Sequence, residues 1–399
     1  MAEENHRPAP IHVPDADLED LRERLHRTRW PDPLPAEPWE AGVDLAVLRE
    51  LCRVWADEYD WRQHEGRLNA LDPVLIPVDG VALHVFRARS GRERAIPLLL
   101  IHGWPGSVAE FRHVIEPLVD PAPGRPAFDL VMPTLPGFGF GGKPAEPGWG
   151  PTRIANALHT LMTEELGYER YGVAGGDWGA IVGSRLAQLH AAGPTRPEAS
   201  RDATTARGGA VGTVIGFHTN LPLLSNHRQS WWEDDPTERE RAALDRWNEM
   251  DATGRAYAAI QSTKPQSLAV GQTDSPAGLA AWVLEKFEAW SDGGLGVFHA
   301  DDLLTNLMFY WAPRSAASSA MIYYESRLDP EGRVHPMPDV PTGVAAFPGE
   351  INPVSRRWVE PHYRLVHYSE PPRGGHFAAL EQPDVYAADV AEFFGSLRR

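Results

Sequence analysis

Three residues of this chain have the types and settings to act as nucleophile, acid and base. Asp177 stands in Val173-Ala174-Gly175-Gly176-Asp177-Trp178-Gly179-Ala180, where an apolar run ends in two glycines and an apolar segment of helical character follows through about Leu189. That pattern reads as strand, tight turn and helix. A turn of this kind holds its central side chain at the top of a sheet in a strained conformation, and small neighbours leave room for close packing. A serine there would need a base, whereas an aspartate, with a pKa near ~3.9, is already a carboxylate at neutral pH. Attack then requires no base, and a histidine is free to activate water. Taken alone, Asp177 reads more simply as a cap on a helix N-terminus, so its partners have to decide.

The partners are Glu350, in Phe347-Pro348-Gly349-Glu350, and His376, in Arg373-Gly374-Gly375-His376-Phe377. Nucleophile, acid and histidine come in the chain order of α/β-hydrolases. The carboxylate of Glu350 would set the tautomer and orientation of His376 and stabilise its protonated form. A histidine after a glycine pair is more often a loop hydrogen-bonder than a base. Three such residues at the ends of three expected strands carry more weight than any one of them.

The elements that must position them follow from periodicity. Ile96 to Ile101 is an unbroken apolar run leading into His102-Gly103-Trp104-Pro105-Gly106-Ser107, as a buried parallel strand reads. Phe128 to Met132 is a second such strand, running into Pro133 to Phe140. A helix from Arg153 to Leu166 precedes a strand at Tyr171 to Ala174, and Val211 to Phe217 resumes the sheet. Strand and helix in alternation imply an α/β fold with a mostly parallel, doubly wound sheet and the site at the carboxyl ends of its strands.

Ahead of this core, Val74 to Arg87 alternates about Asp79-Gly80 as a β-hairpin does. Helical faces at Leu18, Leu21 and Leu25, and at Leu45, Leu48, Cys52, Trp55 and Tyr59, flank a proline-rich link, which makes the first 70 residues a meander packed on something larger. Ala191 to Gly209 reads as a surface excursion. From Leu221 to Tyr324 helical periodicity dominates and six of the fourteen tryptophans fall there, so a helical lid is expected, inserted after the sixth strand. Strand signals return at Val344 to Phe347 and Tyr363 to Tyr368, before a final amphipathic helix. The expected division is 1–95 for the meander and hairpin, 96–220 for the first part of the core, 221–325 for the lid and 326–399 for the rest of the core.

Composition narrows the function. The chain of 399 residues carries a formal net charge of −17, which disfavours nucleic acid as a partner. Cys52 is the only cysteine, so neither an internal disulfide nor a cysteine zinc site is expected, and the sixteen histidines lack ligand spacing. No metal or cofactor is expected. The polar N-terminus and the lack of a long apolar run predict no signal peptide, no membrane span and a cytoplasmic protein.

The chain resembles the microsomal-type epoxide hydrolases, α/β-hydrolases with an added N-terminal meander. The residues carrying the likeness are Thr28 to Pro31, Tyr59 to Arg62, His102 to Ser107, Pro136 to Phe140, Gly175 to Gly179, Thr263 to Pro265, Asp274 to Pro276, Leu284 to Phe287, Phe347 to Glu350 and Arg373 to Phe377. The resemblance implies attack of Asp177 on an epoxide carbon, with two lid tyrosines, Tyr257 and Tyr324, holding the epoxide oxygen; Tyr323 adjoins the second. It also implies an alkyl ester hydrolysed by water that His376 and Glu350 activate, and backbone N–H groups of Trp104 and Trp178 receiving the oxyanion. Trp231 and Trp232 are the candidates for lining the substrate pocket, against simple core packing for most lid tryptophans. The expected partner is a small apolar epoxide, aryl or derived from a natural product, with a homodimer left open. A haloalkane dehalogenase, which also uses an aspartate at the elbow, and an inactive α/β-hydrolase serving as a binding module are the rivals. The tyrosine pair and the retention of every candidate group speak against them.

Overall fold

The computed structural model describes residues 6–191, 212–224, 235–332 and 337–398. Among these, nine strands form one sheet in the order β1-β2-β3-β5-β4-β6-β7-β8-β9. They are β1 (Arg7–Pro8), β2 (Val74–Val78), β3 (Val81–Ala88), β4 (Ile96–Ile101), β5 (Phe128–Pro133), β6 (Arg170–Gly175), β7 (Thr213–Thr219), β8 (Met337–Ala345) and β9 (Tyr363–Ser369). All pairs from β5 through β9 are parallel, and β1, β2 and β3 add an antiparallel edge. The apolar runs of β4, β5 and β6 have the near-continuous burial of strands covered on both faces. The order reverses at β4, which lies between β5 and β6, and the crevice outside the carboxyl ends at such a point is where α/β sheets place their ligands.

The turn between β2 and β3 has positive φ at both Asp79 (49°) and Gly80 (81°), the conformation that matches the twist of a two-residue hairpin. In the meander, the helix Asp15–His26 buries Leu18, Leu21 and Leu25. The next helix, Leu45–Asp57, is capped by the Asp44 carboxylate on the N–H groups of Ala46 and Val47.

A third helix, Trp61–Asn69, capped by Asp60, has no clear hydropathy pattern in the sequence. Its buried face is Trp61, His64, Glu65 and Leu68, spaced as a helix requires but half polar. Glu65 is satisfied there by the Val13 N–H (2.7 Å) and the Trp61 indole (3.0 Å).

Between β7 and β8 lie the helices Glu238–Glu249, Ala256–Thr263, Pro265–Asp274, Pro276–Trp290, Ala300–Trp311 and Ala316–Leu328, and none of the described residues in this stretch is in a strand. Because the short β1 precedes the hairpin, this insertion follows the seventh strand rather than the sixth. The meander grips it: the Tyr59 hydroxyl meets Thr305 Oγ1 at 2.9 Å, and Arg24 donates to the Asp274 carbonyl (2.8 Å) and carboxylate (2.9 Å).

One strand boundary differs from expectation. β8 starts at Met337, not Val344, and includes Pro338 and Pro341, where its register with β9 slips. Proline removes a ladder donor, so the sequence pattern conceals the first part of this strand. Residues 192–209 of the expected surface excursion lie outside the described residues. No helix among the described residues is long and apolar enough to cross a membrane.

Candidate active site

β6 ends at Gly175 and the helix Asp177–His190 begins two residues later, forcing Asp177 into the left-handed region at φ 49°. A side-chain-bearing residue pays for that conformation, and such strain concentrates at sites of function. The turn closes only because its neighbours are small. A Cβ on Gly179 would stand 1.9 Å from the Ile101 carbonyl oxygen, and one on Gly103 would stand 2.3 Å from Asp177 Oδ1. Asp177 does not cap its helix. Its Oδ1 accepts the Trp104 N–H at 2.8 Å, and its Oδ2 lies 3.3 Å from His376 Nε2.

His376 sits in the loop after β9, and its Nδ1 donates to Glu350 Oε1 at 2.6 Å. Glu350 follows β8 and accepts two further hydrogen bonds, from its neighbour Ile351 N–H (2.7 Å) and from Asn220 Nδ2 (2.8 Å). Asn220, just beyond β7, also donates to the His376 carbonyl at 3.1 Å, so one amide ties the acid to the backbone that carries the histidine. No local pattern marks Asn220 in the sequence, although its place at the carboxyl end of a core strand is a usable signal. Burial by itself would depress the His376 pKa. The Glu350 and Asp177 carboxylates outweigh that and raise it to about 10.

The loop from His102 to Ser107 delivers Trp104. His102, fully buried, accepts the Leu135 N–H at Nε2 (3.1 Å) and meets the Gly103 carbonyl through Nδ1 (3.1 Å). Burial pushes its pKa down to about 4, which keeps the ring neutral and able to accept at Nε2. From the lid helix Ala300–Trp311, Asn306 donates to the Pro105 carbonyl (2.7 Å) and Tyr310 to the Gly106 carbonyl (2.6 Å). Trp178 is the second residue of its helix, so its N–H belongs to a first turn that offers no intrahelical acceptor.

Of the two lid tyrosines, Tyr257 lies over Trp104, the rings stacked at 5.1 Å. The second is corrected. Tyr323, not Tyr324, enters the cluster, edge-on to Trp178 at 4.6 Å, to Trp104 at 5.8 Å and to Tyr257 at 5.9 Å. Tyr324 lies beneath the Arg327 guanidinium at 5.4 Å. Successive helical residues point about 100° apart, and the buried face of this helix runs through Ala316, Ser319, Ala320 and Tyr323. Burial pushes the pKa of both inward phenols up, and the Asp177 charge adds to it. The two hydroxyls perturb one another, and Trp178 also acts on that of Tyr323. Trp290 completes the aromatic wall, 5.0 Å from the His376 ring. Trp231 and Trp232, the expected pocket-lining pair, lie outside the described residues. Among the described residues no group of three or more His, Cys, Asp or Glu is arranged to hold a metal ion.

Comparison with known proteins agrees with this architecture. A family profile described as epoxide hydrolase N terminus matches residues 6–111, and one described as alpha/beta hydrolase fold matches residues 96–201. A Stigmatella aurantiaca chain carrying an epoxide hydrolase name is 39% identical over 98% of this chain and 85% of its own. Epoxide hydrolase 1 of Oryctolagus cuniculus is 33% identical over 100% and 90% of the two chains. The crystal structure of juvenile hormone epoxide hydrolase from the silkworm Bombyx mori superposes with a TM-score of 0.86 at 30% identity, covering 98% of this chain and 95% of that one.

Proposed function

This chain belongs to the microsomal-type epoxide hydrolase family, and from that premise we propose that it converts an apolar epoxide and water to a vicinal diol through an ester on Asp177. The observation carrying the reading is the Asp177 carboxylate, held between the Trp104 N–H and His376 Nε2 beneath two buried phenols. In the first step Asp177 Oδ2 bonds to an epoxide carbon as the C–O bond breaks. The opening alkoxide is far more basic than a phenolate, so Tyr257 and Tyr323 donate to it although their own acidity is weak. The Tyr323 hydroxyl, buried beside Trp178 and Tyr257 and close enough to feel the Asp177 charge, faces the place where the epoxide oxygen opens. Trp104, Trp178 and Trp290 pack around the two phenols, which supports an apolar substrate group.

In the second step water adds to the ester carbonyl. Its proton goes to His376 Nε2, the oxyanion lies against the N–H groups of Trp104 and Trp178, and collapse expels the diol oxygen, which takes the proton back from His376; the second water proton, left on the regenerated Asp177 acid, replaces the one that the phenols gave to the epoxide oxygen. The electrostatics change in the required direction between the steps. The resting His376 owes part of its raised pKa to Asp177. Esterification removes that charge, so the imidazole becomes readier to give up its proton and act as a base once there is an ester to hydrolyse.

His376→Gln tests this directly. Attack by Asp177 needs no base, so the variant should gain the mass of one epoxide on Asp177, by intact and peptide mass spectrometry, while diol release stalls. Asp177→Asn should give neither product nor adduct. Diol formation at the normal rate by freshly prepared Asp177→Asn, with deamidation excluded, would overturn the covalent mechanism.

A further inference from the structure

Glu110 has no part in the chemistry described so far, yet it faces the same groups. It lies on the short turn Val108–Phe111 that follows the Trp104 loop. Part of the residue reaches solvent, but its carboxyl turns inward, with Oε2 only 2.3 Å from where a Cβ on Gly106 would stand. It borders a cavity of about 20 Å³ whose polar lining includes Glu110, Asp177, Asn220 and His376, and whose apolar lining includes Phe111 and Ala378. Neither Tyr257 nor Tyr323 borders this cavity. Its size suits a single water, which needs two to four polar partners to be held.

We propose that this cavity seats the water that hydrolyses the ester, and that the Glu110 carboxyl holds that water beside His376. The inference rests on the two-step reading above. Burial pushes the Glu110 pKa up to about 8; the nearby His376 charge opposes that and Asp177 adds to it. At neutral pH Glu110 is therefore a carboxylic acid, which offers a donor and an acceptor without placing a second anion beside the attacking oxygen. During hydrolysis the water oxygen bonds to the Asp177 carbonyl carbon and its proton passes to His376 Nε2. Glu110 neither gains nor loses a proton overall. It is a water-holding residue, and epoxide opening does not depend on it.

The two half-reactions separate this role from a structural one. With styrene oxide as probe, rapid quench and intact mass spectrometry would follow formation and decay of the Asp177 adduct in Glu110→Leu, Glu110→Gln and His376→Gln. Glu110→Leu should form adduct at a rate within twofold of the parent and hydrolyse it on the order of tenfold more slowly, the effect of one lost hydrogen bond. Glu110→Gln, which keeps a donor and an acceptor, should recover most of that loss. Should the Leu variant fail to fold by circular dichroism, Glu110→Met replaces it. Unchanged adduct decay in Glu110→Leu, or equal slowing of both half-reactions, overturns the proposal. If His376→Gln forms no adduct either, the two-step reading itself fails; adduct in His376→Gln with normal decay in Glu110→Leu refutes only the role of Glu110.

Discussion

Tyr323 and Tyr324 are neighbours in one helix, and a helix can aim only one of them at Asp177. Tyr323 lies against Trp178 and Trp104, and Tyr324 lies under Arg327. Replacing Tyr323 with Phe should slow adduct formation by roughly 10- to 100-fold, less than a full general-acid effect because Tyr257 still donates. Adduct decay should be untouched, and Tyr324→Phe should form adduct within about twofold of the parent rate. Stopped-flow tryptophan fluorescence can read both, given the indoles around the site. A second test concerns the route of the oxygen. If the ester is cleaved at the Asp177 carbonyl, a single turnover in ¹⁸O-labelled water should put the label into the Asp177 carboxylate and leave the diol unlabelled. Label in the diol after one turnover would mean that water attacks the epoxide carbon directly.

At the scale of elements, the site depends on segments that carry no chemistry themselves. The lid helix Ala300–Trp311 holds the Trp104 loop through Asn306 and Tyr310, and the meander holds that helix through Tyr59. Tyr310→Phe leaves the buried Gly106 carbonyl without its partner, which should cost about 1–3 kcal/mol of stability and, by loosening Trp104, lower kcat. Tyr59→Phe breaks the buried bond to Thr305 and should cost about 1 kcal/mol with normal kcat. The Arg24 to Asp274 contact is exposed, so Arg24→Ala should cost less than about 1 kcal/mol. Urea unfolding midpoints for the three variants should fall in that order. The helix Trp61–Asn69 was hidden at this scale because His64 and Glu65 occupy core positions. Their burial becomes intelligible only once Val13 and Trp61 are seen to donate to Glu65.

For the whole molecule, the buried titratable groups combine into a predictable dependence of stability on pH. Burial raises Glu110 to about 8 and Glu381 to about 7 from 4.5, and the site carboxylates raise His376 from 6.5 to about 10 against its burial. A group that binds its proton more tightly in the folded state contributes stability that is full below the unfolded pKa and lost as pH rises through the folded one. These three therefore withdraw stability between pH 4.5 and 10. Burial opposes the opposite shift in Asp302 and Asp389, yet His113 and Arg112 hold the first low and His218 and His367 the second. Their contribution is present above the ordinary carboxylate range and is lost on further acidification. Thermal unfolding should show its highest Tm on the mildly acidic side of neutrality, falling toward pH 10, and His376→Gln should flatten the segment between 6.5 and 10. An unchanged alkaline slope in that variant would show that His376 is not held protonated by its two carboxylates.

Local pattern was enough for much of this protein. The order of Asp177, Glu350 and His376, the glycines around the elbow and the apolar runs of β4 to β6 lie in the amino-acid string, because a tight turn and a doubly covered strand each demand their residue types over a few consecutive positions. What the string left open depended on contacts between distant segments. Tyr257 was separable from its surroundings by sequence likeness, whereas Tyr323 and Tyr324 differ only in helix phase, which the face through Ala316, Ser319 and Ala320 reveals once its burial is known. Asn220 lies 130 residues from Glu350, and Glu110 is an ordinary surface-type residue until the fold turns its carboxyl toward Asp177 and His376. Their parts arise from burial and from partners brought together by tertiary structure, which no local pattern encodes.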